Sequence, residues 1–193
     1  MAPERPPETA LQHTVPALER VTTRYCQEQD RVRLAGELPG GVPVLLWLTQ
    51  RLLRRMLPPL TAWLENQHEH AASGVPSPLG AAQALYADAV QGFAQQAARA
   101  GMTRQAPVQI LDDSPACLVH SLELAATPQA VRLVFCDARV AVAAMELQAQ
   151  PLRQWLDILY GAWAQAQWPA DVWPAWMRDE ASAALPRTDA VVH

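Results

Sequence analysis

The residues best suited to chemistry in this chain are few and scattered. His68-Glu69-His70 offers imidazoles and a carboxylate that a metal could accept, Cys117-Leu-Val-His120 places a thiol near an imidazole, and Asp112-Asp113 sets two carboxylates side by side. Each has a plainer reading. His68 and His70 fall in what reads as a polar loop over 66–76, with no second ligand set at metal-binding spacing. Cys117 and His120 lie in a segment that reads as a strand, where positions three apart point to opposite faces. Asp112-Asp113-Ser114-Pro115 is ordinary turn chemistry. No serine nucleophile elbow, glycine-rich phosphate loop or zinc spacing occurs, so no metal or cofactor is expected and catalysis is unsupported. An enzyme would have to draw on His120 and the Asp112-Asp113 pair.

Two clusters suit binding better. Arg51, Arg54 and Arg55 occupy the polar side of a predicted helix and form a compact basic group, either solvated or open to an anion or an acidic partner. The C-terminal run Trp168-Pro-Ala-Asp-Val-Trp173-Pro-Ala-Trp176-Met177 concentrates the side chain most enriched at binding hot spots, with prolines that limit backbone freedom. Its competing role is a lid folded over the core. Trp168, Trp173, Trp176 and Met177 are therefore the candidate partner contacts.

Composition narrows the field further. All 15 basic side chains are arginine, so lysine-dependent Schiff-base, general-base and phosphate-loop mechanisms are absent. The Ala-, Arg-, Pro- and Trp-rich usage fits a bacterial coding bias. A formal charge of −4 lacks the broad positive surface that neutralises nucleic-acid phosphates. Three unpaired-looking cysteines, Cys26, Cys117 and Cys136, fit small buried hydrophobes in a reducing compartment. The N-terminus does not read as a secretory signal, and the apolar run Val42–Leu48, interrupted by Pro43, is far shorter than the roughly 20 residues of a spanning helix. A cytoplasmic protein with no membrane partner is expected.

What positions these residues is a pattern that recurs at a fixed offset. Val32-Arg33-Leu34 becomes Val131-Arg132-Leu133, and Leu48, Leu53, Arg54, Leu57 and Leu60 become Leu147, Leu152, Arg153, Leu156 and Leu159, each displaced by 99 (147 − 48). Alternating apolar residues, with the repeat deciding the first, predict strands at 20–26, about 31–38, 42–48, 117–125, 131–136 and 140–147. A helix capped by Thr49 follows the third strand, with Pro58-Pro59 predicted to kink or break it; a second opens at Pro151. Between them, Ser77-Pro78 starts a helix that stops at Gly101; Leu79, Leu85, Tyr86, Val90 and Phe93 are its larger apolar groups, and its many alanines allow close approach of another helix, expected to be the preceding one.

The chain thus reads as α+β, a largely antiparallel sheet built from two β-β-β-α units around a helical insertion. The expected boundaries are a disordered tail at 1–14, units at 15–65 and 116–180 flanking an insertion at 66–115, and a flexible tail at 181–193. The function expected is a non-enzymatic protein-binding adaptor, assembly factor or complex subunit. The alternative is a small-ligand-binding protein or enzyme with its site between the units.

Overall fold

The computed structural model describes residues 15–71, 80–138 and 140–178; side chains within 68–71 and 80–85 lie outside that description. Three consecutive antiparallel strands, β1 (Arg20–Cys26), β2 (Arg31–Leu38) and β3 (Val42–Leu48), feed helix α1 (Gln50–Ala71). Helix α2 (Gly80–Ala100) and the short β4 (Ala116–Leu118) follow. Then β5 (Ser121–Ala126), β6 (Ala130–Asp137) and β7 (Val140–Gln148) repeat the antiparallel order and feed α3 (Ala149–Gln165). A short 3-10 turn, Ala170–Val172, and one helical turn at 175–178 end the described chain.

The architecture is α+β, with two sheets in place of one: β1-β2-β3-β4 and β5-β6-β7. The strand expected over 117–125 is split. Its first part, β4, joins β3 in parallel, and the rest pairs with β6 as β5, with Val119 and His120 spanning the change of sheet.

The ladder registers share the 99-residue spacing. Val32 faces Leu48 as Val131 faces Leu147, and Leu34 faces Leu46 as Leu133 faces Met145. Fully buried Leu53, Leu57 and Leu60 on α1 match fully buried Leu152, Leu156 and Leu159 on α3. A three-to-four spacing puts these leucines on one helical stripe, and the stripe covers a sheet. The correspondence is incomplete. Val32 pairs with Tyr25 but Val131 pairs with Ala126, so the first strands match at an offset of 101 (126 − 25), and a bulge at Phe135/Cys136 has no counterpart in β2.

The halves exchange their leading arms. Pro115 accepts from the Leu45 amide at 2.8 Å and Ala116 pairs in parallel with Leu45; Pro16 accepts from the Ala144 amide at 2.8 Å and Ala17 pairs in parallel with Ala144. Each arm therefore completes the other half's sheet. Leu18 of the first arm lies over Gly36, where a Cβ would fall 2.5 Å from its Cδ2, so a larger residue would make the Leu18 side chain shift. The helices cross over too. Trp155 of α3 donates its indole N–H to Thr23 of β1 (3.0 Å), and Trp63 of α1 donates to the Thr127 carbonyl after β5 (2.9 Å). One continuous core results, joining Val32, Leu46 and Leu57 to Val131, Phe135 and Leu156.

Of three local expectations, one holds and two change. Pro58 and Pro59 interrupt hydrogen bonding without ending α1, which runs on for three turns. Both are exposed, so water reaches the backbone whose donors they lack. The Thr49 cap forms, its hydroxyl accepting from the Leu52 amide at 3.2 Å. His68-Glu69-His70 sits in the last turns of α1, not in a loop, because the helix continues to Ala71. Ser77, Pro78 and Leu79 lie outside the described residues, as do both tails.

Candidate functional site

The C-terminal segment is fastened from several sides. Trp173, Trp176 and Met177 are buried, and Trp168 is half-buried. Trp163 packs edge-on against both Trp168 and Trp173, and its indole donates to the carbonyls of Trp168 and Pro169 at 3.1 Å. Trp168 meets Tyr25 edge-on and donates to Asp30 (3.2 Å), which also accepts from the Tyr25 hydroxyl (2.8 Å). Trp176 donates to Glu65 at 2.9 Å. Tryptophan suits this role because its large apolar body leaves one N–H to be satisfied. A partner could reach Trp173, Trp176 or Met177 only if the segment lifted away; Trp168 alone has surface to offer.

The two arginines matched at the 99 offset both hold this segment. Arg54 makes a two-pronged ion pair with Asp171 (2.7 and 2.5 Å), and Arg153 stacks 5.3 Å from the Trp176 ring centre. Arg54 is thereby engaged, leaving Arg51 and Arg55 as the exposed members of the basic trio. Arg153 is buried, and burial lowers its pKa to about 10 against the opposing pull of Glu65. Its guanidinium donates to the Gln91 side chain, and its backbone carbonyl accepts from Gln95 at 3.0 Å.

Those glutamines expose what sequence reading missed. On α2 the inward positions are Gln91, Gln95 and Ala98, while Tyr86 and Phe93 point out, 72% and 71% exposed. Tyr86, Val90, Phe93, Ala97 and Ala100 follow one another by three or four residues, and all but half-buried Val90 are exposed. Among its described side chains, this helix buries two glutamines and exposes its two aromatic residues. Among the described residues it packs chiefly on α3 and reaches the preceding helix through Gln91. The inversion holds because the buried amides have work: Gln91 donates toward the Leu64 and Glu65 carbonyls, and Gln154 of α3 donates to Ala98 at 2.9 Å. Arg99 and Asp157 add an ion pair across the same interface at 2.5 Å. Period alone shows that a stripe exists; the inward face is the one that meets Arg153 and the carbonyls of Leu64 and Glu65.

The catalytic candidates do not converge. His120 Nδ1 lies 2.9 Å from Asp137 and 3.3 Å from the Ala138 amide, and bonds neither Asp112 nor Asp113. Those aspartates are exposed in a turn closed by Ser114, whose hydroxyl accepts from the Leu111 amide at 2.8 Å. Burial, then Asp137, pushes the Cys117 thiol up; burial, then Glu123, does the same for Cys136. A nucleophilic thiol needs the opposite shift. No metal-binding group of three His, Cys, Asp or Glu side chains occurs among the described residues, and no described helix is long and apolar enough to cross a membrane. Compared with protein-family models, curated proteins and solved structures, the chain matches none.

Proposed function

We propose that this is a non-enzymatic protein-binding protein, an adaptor or a subunit of a larger complex, whose contact surface is the outward face of α2. One observation carries the reading: large aromatic residues face solvent on a helix that buries glutamine. Scattered exposed apolar residues are commonplace, but an aligned aromatic stripe opposite a buried, hydrogen-bonded polar interface is not explained by folding. The seven-residue interval from Tyr86 to Phe93 to Ala100, with Val90 and Ala97 between, is the seam on which a second helix packs. The partner accordingly presents an amphipathic helix. The two β-β-β-α halves are read as copies of one unit, forming a rigid base for the inserted helix. The aromatic C-terminal segment contributes Trp168 to the surface and fastens the base with the rest.

A photoreactive phenylalanine analogue at position 93 tests this in living cells. The expected crosslink maps to a helical segment of a different protein and disappears when Tyr86 is changed to Ser. Absence of any crosslink would refute the reading. Crosslinks confined to two copies of this chain, with a dimer lost in Phe93→Ser, would replace the heterologous partner with self-association.

A further inference from the structure

A groove of about 420 Å³ lies where β1 of the first half meets α3 of the second, roofed by the loop over 101–108. Its lining includes Arg20, Arg24 and Arg104, together with Thr22, Gln105 and Gln154, and no aspartate or glutamate. In a chain of net charge −4, that exclusion of acidic groups is a local reversal of sign. Arg20 is partly balanced by Glu37, 3.4 Å away outside the groove. Arg24 and Arg104 have no ion pair among the described residues, and both are exposed.

The sheet beneath reinforces the charge. Arg24 stands directly across the β1-β2 ladder from Arg33, a like-charge cross-strand pair that ordinarily destabilises a sheet. Arg33, with Arg24 and Thr22, also lines a smaller recess adjoining the same loop. The corresponding face of the second half differs. Where Thr22, Arg24 and Trp47 stand, β5 and β7 carry Glu123, Ala125 and Glu146, and Arg132 is offset by Glu146 at 3.9 Å. The positive charge is therefore a property of one face of one half.

We propose that this groove binds a small ligand carrying two or more oxyanion groups, phosphate or carboxylate. Guanidinium forks match both groups bidentately, and an anion held between Arg24 and Arg104 relieves the Arg24–Arg33 repulsion. The hydroxyl of Thr22, which already accepts from the Val108 amide at 2.9 Å, has its own proton to donate. Amide donors of Gln105 and Gln154 complete a wall of donors around a volume suited to a small metabolite. This site is separate from the α2 surface, and neither proposal depends on the other.

Titration calorimetry of the full chain at low ionic strength, with pyrophosphate and with citrate as probes, decides the matter. Saturable binding of either is expected, weakening as salt is raised. Pyrophosphate alone would mark the ligand as a phosphate compound, and citrate alone as a polycarboxylate. Arg24→Gln and Arg104→Gln should each weaken binding by roughly tenfold, the loss of a charge-assisted hydrogen bond. Both residues are exposed, so folding should be kept, as near-ultraviolet circular dichroism would verify. Arg55→Gln, at an exposed position of α1, should leave binding unchanged. The proposal is overturned if neither probe binds, if the groove variants bind as the wild type does, or if Arg55→Gln loses as much affinity as they do.

Discussion

At the residue scale, the two matched arginines do different physical work. Arg54, helped by its hydrogen bonds, holds the Asp171 carboxyl below its usual range. A carboxylate depressed in the folded state contributes stability above its unfolded pKa, and that contribution is lost as pH falls through the depressed value. Tryptophan fluorescence should therefore report loosening of the C-terminal segment in acid, below the ordinary carboxylate range. Asp171→Asn should show that looser state already at neutral pH, with the acid step diminished. Arg153 is the inverse case, a cation that burial disfavours and that Gln91 and Trp176 tolerate. Arg153→Leu should destabilise by about 1–3 kcal/mol, because it leaves the buried Gln91 oxygen unsatisfied. Arg153→Leu combined with Gln91→Leu should recover much of that loss in denaturant titration, since an apolar pair asks for no partner. An additive double variant would show that the two groups are not coupled.

At the element scale, the leucine stripes of α1 and α3 were readable from sequence because a helix's period translates directly into a buried face. Leu57→Ala and Leu156→Ala should each cost roughly 2–5 kcal/mol in chemical denaturation, the range for emptying a packed leucine site. A near-neutral result for either would remove it from the core. The strands were nearly as legible: alternation left β1 ambiguous with a helix start, and the 99-residue repeat assigned it to 20–26, its observed bounds. Alternation is silent on which strand is a neighbour, so nothing local told that Ala116–Leu118 leaves one sheet for the other. The orientation of α2 was hidden for a related reason. Its inward face meets Arg153, which is distant in sequence, while local hydrophobicity favours turning Tyr86 and Phe93 inward. Phe93→Ser should leave the melting temperature nearly unchanged, as expected of an exposed position. A marked drop would mean that this side chain is packed after all.

At the scale of the whole molecule, reciprocal arms and crossed helices join the halves into one cooperative body. Calorimetry should show a single unfolding transition with no separate melting of 15–71 and 116–178. Leu18→Pro, which removes the amide donor to Ala144 at 2.7 Å, should lower that transition without splitting it. Two resolved transitions would mean that the exchanged arms carry little coupling. The sequence repeat made the halves visible, and the arms escaped notice because Pro16-Ala17-Leu18 carries no strand signal and the strand signal from Cys117 onward does not name its partner strand. The groove escaped for the same reason, since Arg24, Arg104 and Gln154 meet only once the fold is closed. Exchange also imposes an order on biosynthesis. As the chain leaves the ribosome, β3 is made long before Ala116 arrives to cover its edge, and Ala17 waits until Ala144 has emerged. The first half must pass through synthesis with a bare strand edge, the condition that invites pairing between nascent chains.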